Sequence, residues 1–577
     1  MKISNQVDTM KRDLKRILLL QLPRLENSIA GEEENLPIAG FYLSHSLKRA
    51  EAGRDYTFRF LQPDEESLDD AHIIELVTAW KPDVVCATLY LWNVEHSLGI
   101  LKRLKYMHPE TIIVCGGPEV APDHPFLSKE PIADVLVMGE GESILPDVLK
   151  AIQFGGIIDY KQVAWKTDRG YRFGRNDAPA PELNELLPAP EDEMWRPDNQ
   201  GMAYMETGRG CPMRCSYCRY PQMRRKPTFL GAEEVLERIR ILKQRGANQI
   251  RLIDPTFNAN PGFRQILAGL KEINRDRQIV FFAELHADML HGDDIENLAD
   301  SGFTEIEVGV QSRDKDVLRL IHRPTAIDSL ESNIRLMTEA GIRVTVDLMY
   351  GLPGQRLEDV VSSFKWAKRF KGSHVQCMQT LLLPGTELRE MKDSWNIRAD
   401  EKPPYEVRST STLSPEDICL VEELLNKKQA GESMTRRFIG YRLPDLFEER
   451  VEILMESFGE HSIIEGRTSK RALIFRGHDL YMNKSGILNI LRRVIAEEPH
   501  MLWQFVIRPE EEEPIDLLKD MISEISKQPT HWLDRFAHAS CWERIAARRV
   551  FVHLIRNRSY SHEWIHACEA LLEDHFY

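Results

Sequence analysis

Twice along the chain, apolar runs of strand length alternate with stretches of helical periodicity, and no other feature limits the fold as much. Strand then helix, repeated, means a parallel sheet with helices on its faces, with ligands beyond the carboxyl ends of the strands. In the first array strands are expected at 17–22 (ILLLQL), 57–61, 83–89 (DVVCATL), 111–115 (TIIVC) and 134–138 (DVLVM), with helices at 38–50, 68–80, 94–107 and up to about 154. Two of these strands end in glycine-rich turns, Gly116-Gly117-Pro118 and Gly139-Glu140-Gly141-Glu142.

The second array places strands at 203–207, 249–253, 279–285, 305–310, 343–349 and 374–380, with helical patterns between them. Six βα units are too few for an eightfold barrel but suit a partial one, in which the loops at the strand C-termini carry the chemistry. The expected class is therefore α/β: a Rossmann-like domain over 1–155, a (βα)6 partial TIM barrel over 201–390 and a mainly helical region over 391–577. Residues 156–200 read as a linker, with a possible hairpin at 163–175 followed by Pro179, Pro181, Pro188, Pro190 and Pro197 among acidic residues. In the C-terminal region, Glu510–Glu513 reads as a solvated loop and Trp503, Trp532, Trp542 and Trp564 as core.

Composition narrows the partners. Among 577 residues, 75 Lys and Arg stand against 90 Asp and Glu, a formal charge of −15. A general nucleic-acid binder should carry a basic face, so this balance argues against one while leaving room for a local basic groove. No apolar run approaches the ~20 residues of a membrane span. The first residues (MKISNQVDTMKRDLKRILLLQLP) have a short apolar core without a small-residue cleavage site, which fits a buried first strand better than a secretory signal. A cytoplasmic location is expected.

Nine cysteines are present, and Cys211, Cys215 and Cys218 crowd into eight residues. An odd count with one tight cluster is not a disulfide framework; metal binding is the better reading. A structural zinc site wants four ligands, typically as two pairs, and no fourth cysteine or close histidine is at hand. Three thiolates spaced by three and two residues can wrap one corner of a cubane cluster and leave one iron open.

The segment Cys211-x-x-x-Cys215-x-x-Cys218, with Tyr217 before the last cysteine, resembles the radical S-adenosylmethionine (SAM) signature. Further motifs follow in order: Asp254-Pro-Thr-Phe-Asn258 after the second strand, Glu284 ending the third, Gly309-Val-Gln311-Ser312 ending the fourth, Asp347-Leu-Met-Tyr-Gly351-Leu-Pro353-Gly354 ending the fifth and Leu383-Pro384-Gly385 after the sixth. The resemblance implies that the three cysteines hold a [4Fe–4S] cluster whose fourth iron chelates SAM. It places Tyr217 near adenine, the Asp254 segment near the methionine amino group, and Glu284 and Gln311 at ribose or methionine. Ser312, Asp347 and Leu383 complete the implied cofactor contacts. One electron would then cleave SAM to methionine and a 5′-deoxyadenosyl radical.

Residues 17–153 resemble the cobalamin-binding domain that precedes many such enzymes, through Leu22-Pro23, Asn35-Leu36-Pro37, Gly116-Gly117-Pro118 and Gly139-Glu140-Gly141-Glu142. Domains that give cobalt a histidine carry Asp-x-His-x-x-Gly after the first strand; here that loop is Pro23-Arg-Leu-Glu-Asn, so no histidine ligand is expected there. The lower face of the corrin would instead meet Tyr90, Leu91, Trp92 and Asn93, and His96 reads as an ordinary helix-start residue. Arg224-Arg225-Lys226 reads as solvated loop and Cys377 as an inert buried thiol.

By this resemblance the chain is a cobalamin-dependent radical SAM enzyme, a C-methyltransferase in the leading reading. Cyclisation, rearrangement or epimerisation with the same cofactors is the alternative, and a corrinoid- or metal-binding sensor is a third. A tRNA methylthiotransferase fits less well, because no three further cysteines cluster upstream to hold an auxiliary cluster. The implied partners are a small-molecule or peptide substrate and a one-electron reductant of the flavodoxin or ferredoxin type. Sheet and barrel should present their open ends to each other.

Overall fold

The computed structural model describes residues 14–23, 36–50, 56–125, 127, 130–188, 195–223, 226–429, 438–443, 447, 449–457, 466–538 and 547–576. These fall into two compact units: residues 1–61 with 81–425, and residues 62–80 with 426–577. Asn35, Arg224, Arg225, Trp542 and the loop after Pro23 lie outside the described residues.

The first unit opens with a sheet of β1 (Arg16–Leu20), β2 (Thr57–Arg59), β3 (Val84–Thr88), β4 (Ile112–Gly116) and β5 (Val135–Val137), parallel in the order β2-β1-β3-β4-β5. Its central strands are apolar throughout because both faces are covered; Ile17, Leu18, Val84 and Val85 are fully buried. The hairpin expected at 163–175 forms as β6 (Val163–Thr167) and β7 (Gly170–Phe173), but it is no part of a linker. It pairs antiparallel with β5 and extends the sheet to seven strands.

The barrel follows in the same unit. Its strands are β8 (Met202–Met205), β11 (Gln249–Leu252), β12 (Val280–Leu285), β13 (Phe303–Gln311), β14 (Arg343–Tyr350) and β15 (His374–Gln379), all parallel and ordered as in the chain. Between β8 and β11, the short antiparallel pair β9 (Gly208–Arg209) and β10 (Thr228–Phe229) closes the loop that carries the cysteines. Alternation sorts the side chains. Ile250, Ala283, Ile306, Val308, Val346 and Leu348 pack into the core under the helices, while Arg251, Glu284, Glu307, Asp347 and Gln376 take the opposite, inner face. A second antiparallel pair, β16 (Arg398–Ala399) and β17 (Val407–Ser409), follows.

The C-terminal region corrects the expectation. It does contain helices Lys484–Glu497, Asp516–Lys527 and His562–Phe576, but they flank a five-stranded sheet rather than each other alone. That sheet has β18 (Ile439–Gly440), β19 (Glu449–Leu454), β20 (Lys470–Gly477), β21 (Leu502–Pro509) and β22 (Arg548–His553), parallel in the order β18-β22-β21-β20-β19. Its strands are buried runs without alternation, such as ALIF and FVI, which periodicity cannot tell from buried helix. Trp503, Trp532 and Trp564 are buried, as expected of core.

This unit also takes in residues 62–80, which the sequence assigned to the first domain. Asp69 explains the attachment: its backbone N–H donates to Arg467 O at 2.7 Å, and its carboxylate meets Arg471 at 3.2 Å. The acidic run is not solvated throughout. Glu513 is buried and accepts from the N–H groups of Leu480 (2.8 Å) and Tyr481 (3.0 Å).

Candidate functional site

The cysteine loop is fixed by its backbone. Cys218 N–H donates to Cys215 O at 3.1 Å, Ser216 N–H to Ile321 O at 3.0 Å, and Leu388 N–H to Ser216 O at 2.8 Å. Loops after three different strands thus meet at Ser216. Burial pushes the Cys218 thiol up to about 12, and the charges of Cys215 and Cys211 act in the same direction. Burial likewise raises Cys211, whose Sγ lies 3.5 Å from Thr256 Oγ1. Metal binding here must therefore expel protons, as it does wherever thiolates are ligands.

Deeper in the mouth, three sequence candidates come together. Glu284 and Glu307 sit opposite each other across β12 and β13, and Asp347 stands opposite Gly309, two residues further along β13. Glu284 is exposed within this recess yet ringed by protein; burial, reinforced by Glu307, pushes its carboxyl up to about 7. Asp347 is buried and held well above the ordinary carboxylate range by burial and by Glu307. Gln311 ends β13 at a bulge with φ +66° and is 8% exposed. Its Oε1 and Asp347 Oδ1 are buried without a partner, the signature of polar groups awaiting a ligand.

Other candidates are differently employed. Asp254 is buried and accepts from Thr207 N–H (2.9 Å) and Thr207 Oγ1 (3.1 Å), so its carboxylate anchors the approach to the cysteine loop. Burial holds its pKa near 8 even so. Ser312 Oγ accepts from Asp314 N–H at 3.1 Å and shapes a turn. Leu383 O accepts from Thr386 Oγ1 at 2.8 Å. Tyr217 packs against the barrel core and the cluster of Leu382, Leu388 and Val407.

The first sheet presents its strand ends to this loop. Arg219 donates through Nε to Pro118 O (3.1 Å), through Nη2 to Val120 O (2.9 Å) and through Nη1 to Gly385 O (2.9 Å). Arg209 meets Glu142 at 3.0 Å and Glu206 at 2.8 Å, with Glu140 at 3.7 Å. Beneath them, Tyr405 Oη donates to Glu119 at 2.9 Å and lies 3.2 Å from His124 Nε2, all three buried. Gly117 has φ +100°, and a Cβ there would stand 2.6 Å from Leu89 O; Gly116 has no such conflict. Tyr90 and Trp92 stack at 4.5 Å and 7° on a loop pinned by buried Asn93, whose Nδ2 donates to Leu22 O at 3.1 Å. Leu91 is half-buried beside them, and Gly139 (φ +76°) and Gly141 frame Glu140 at the end of β5.

Arg219, Arg209 and Arg323 were not singled out in the sequence. Arg219 and Arg323 stand in loops and Arg209 in the two-residue strand β9, and the available signal was position: all lie beyond strand C-termini of an α/β array.

Residues 205–367 match the radical SAM superfamily and residues 30–149 the B12 binding domain. An uncharacterized methyltransferase of Pyrococcus horikoshii is 21% identical over 468 residues, covering 79% of this chain and 97% of that protein. The cobalamin-dependent radical SAM methyltransferase TokK of Streptomyces tokunonensis is 27% identical over 294 residues, 47% of this chain and 43% of its own. The chain thus spans less than half of TokK. The structure of the cobalamin-dependent SAM radical enzyme OxsB superposes with a TM-score of 0.56 at 18% identity, covering 74% of this chain and 69% of that one, which shows a shared fold.

Fold, cysteine loop and matched domains define a radical SAM enzyme. More particularly, it is one that joins this domain to a cobalamin-binding domain, with a [4Fe–4S] cluster, SAM and cobalamin as its cofactors. Among the described residues no helix is long and apolar enough to cross a membrane.

Proposed function

We propose that the chain is a cobalamin-dependent radical SAM methyltransferase acting on an unactivated carbon of a small-molecule or peptide substrate. The observation that carries this reading is Arg219: the residue after Cys218 holds the loop beyond β4 through Pro118 O and Val120 O. The loop beyond β4, at the open end of the sheet, is thereby held against the cysteine loop at the barrel mouth, a juxtaposition that direct group transfer requires. When bound, the cluster and SAM supply a 5′-deoxyadenosyl radical and cobalamin supplies the methyl group.

The chain's own residues position and exclude. Cys211, Cys215 and Cys218 hold the cluster and leave one iron free for SAM. Glu284 and Asp347 suit the amino N–H groups and ribose hydroxyls of SAM, and the unpartnered Gln311 amide oxygen offers a further acceptor. Gly116, Gly117, Gly139 and Gly141 let backbone approach the corrin closely. The Tyr90–Trp92 stack would face the corrin without offering a nitrogen donor. A flavodoxin- or ferredoxin-type protein supplies the electron.

Reconstituted enzyme incubated anaerobically with dithionite, SAM and hydroxocobalamin tests the reading. Both 5′-deoxyadenosine and S-adenosylhomocysteine are expected. 5′-Deoxyadenosine without S-adenosylhomocysteine would exclude methyl transfer and assign the site to another radical reaction.

A further inference from the structure

Arg323 follows helix Lys315–Leu320 in the loop beyond β13 and turns its guanidinium back into the barrel mouth. Nη1 donates to Cys215 Sγ at 3.5 Å, and Nη2 donates to Gly309 O. Gly309 makes room for it, since a Cβ there would stand 3.0 Å from Nη2. Among the described residues no carboxylate lies within ion-pairing distance of this guanidinium, and its Nε is buried without a partner. A desolvated guanidinium needs negative charge nearby, and Glu284 and Asp347 lie close enough for its charge to act on them, though not within ion-pairing distance. Within hydrogen-bonding distance, the group able to supply negative charge is Cys215, which ligates iron only as thiolate.

We propose that Arg323 is a redox-tuning residue: by donating to Cys215 Sγ it raises the reduction potential of the cluster. The inference rests on the cluster assignment made above. Reduction brings one electron from the external one-electron donor onto the cluster; no bond breaks, and the guanidinium keeps its protons. Positive charge and hydrogen bonding at a ligating sulfur stabilise the reduced state more than the oxidised one. Arg323 would thereby bring the cluster within reach of a protein reductant before SAM is cleaved.

The test is an EPR-monitored redox titration of reconstituted wild type, Arg323→Gln and Arg323→Lys, without SAM, each with its iron content measured. In Arg323→Gln the ratio of reduced to oxidised cluster at a fixed poise should fall about tenfold, equivalent to 59 mV for a one-electron couple. Arg323→Lys keeps the charge but loses the planar fork, so it should fall between the two. An unchanged potential in Arg323→Gln at full iron content would overturn the proposal, even if SAM binding were weakened. Should Arg323→Gln not hold iron, Arg323→Lys decides, and a potential equal to wild type refutes the idea. A wild-type protein that binds no iron would overturn the cluster assignment instead, and the iron count separates the two failures.

Discussion

Arg219 Nη2 reaches the carbonyl of Val120 at 2.9 Å across 99 residues of chain. Because Arg219 adjoins Cys218, the last cysteine of the loop and the segment beyond β4 are fixed to one another by a single side chain. A distance that group transfer must hold constant is thus set by a fork of three hydrogen bonds to carbonyls, the kind of job for which arginine's planar donors are suited.

Replacing Arg219 by alanine leaves those carbonyls without their charged donor, at about 1.5–3 kcal/mol for each bond and less than additively. The cysteines and the glycine turns are untouched, so iron and cobalamin should both still bind. The alignment of the two cofactors should suffer. S-Adenosylhomocysteine formation is expected to fall by at least about tenfold, roughly 1.4 kcal/mol at the barrier, while 5′-deoxyadenosine persists. Parallel chromatographic assay of both products checks this; equal loss of the two would mean that Arg219 serves the cluster rather than the alignment.

Glu284 gives a pH dependence with a definite sign. Its folded pKa, about 7, lies above the ordinary carboxylate value because burial disfavours the charge. Its contribution to stability is therefore complete below about pH 4 and is lost as pH rises through about 7. Binding of a cationic ligand runs the other way, since only ionised Glu284 attracts the positively charged sulfonium of SAM. Equilibrium titration of cluster-loaded enzyme should show SAM affinity rising from about pH 6 to about pH 8, with Glu284→Gln flattening the profile. An equally steep profile in the variant would remove Glu284 from the SAM site.

The parts legible in the sequence were those with a period or a dense motif. Short apolar runs set between helical patterns located every strand of the barrel and of the first parallel sheet, and spacing located the three cysteines. The C-terminal sheet escaped because a buried apolar run cannot be told from buried helix by periodicity, and there the helices were the clearer signal. Asp254 shows the limit for sites: its place after the second strand was evident, but its commitment to Thr207 depends on a contact 47 residues away. Arg219 and Arg323 depend on still more distant acceptors, Val120 and Cys215, and no local pattern announces them.

Adjacent glycines at the end of β4 make a matched pair. A Cβ on Gly117 would collide with Leu89 O at 2.6 Å and Leu89 N at 2.8 Å, both backbone atoms, at a φ of +100°. A Cβ on Gly116 meets only Val137 O, at 3.5 Å. Gly117→Ala should therefore cost about 3 kcal/mol or more and lower the melting temperature. Gly116→Ala should melt near wild type and reveal in dialysis with hydroxocobalamin whether backbone at that turn approaches the corrin. Equal melting temperatures for the two variants would contradict the strained turn.

The lower face of cobalt can be argued from the stack of Tyr90 and Trp92. Their rings lie parallel at 4.5 Å, and the loop is held by Asn93, which accepts from Tyr90 N–H at 2.9 Å and donates to Leu22 O at 3.1 Å. Neither ring offers a good nitrogen donor to a metal. Nor do nearby histidines compensate: His96 is buried in helix Val94–Met107, and His124 is buried against Glu119 at 3.2 Å. The loop after Pro23 contains no histidine. Cobalamin should bind with its dimethylbenzimidazole off the metal and no protein nitrogen in its place. Binding at a hundredfold excess over the dissociation constant should stabilise the protein by about 2.7 kcal/mol. Asn93 is fully buried, so it holds the loop instead of meeting the corrin as its sequence position suggests, and Asn93→Ala should free the loop and weaken binding. Paramagnetic resonance of the cob(II)alamin form decides the ligand: an unsplit cobalt pattern is expected, and nitrogen splitting would show that a histidine reaches the metal after all.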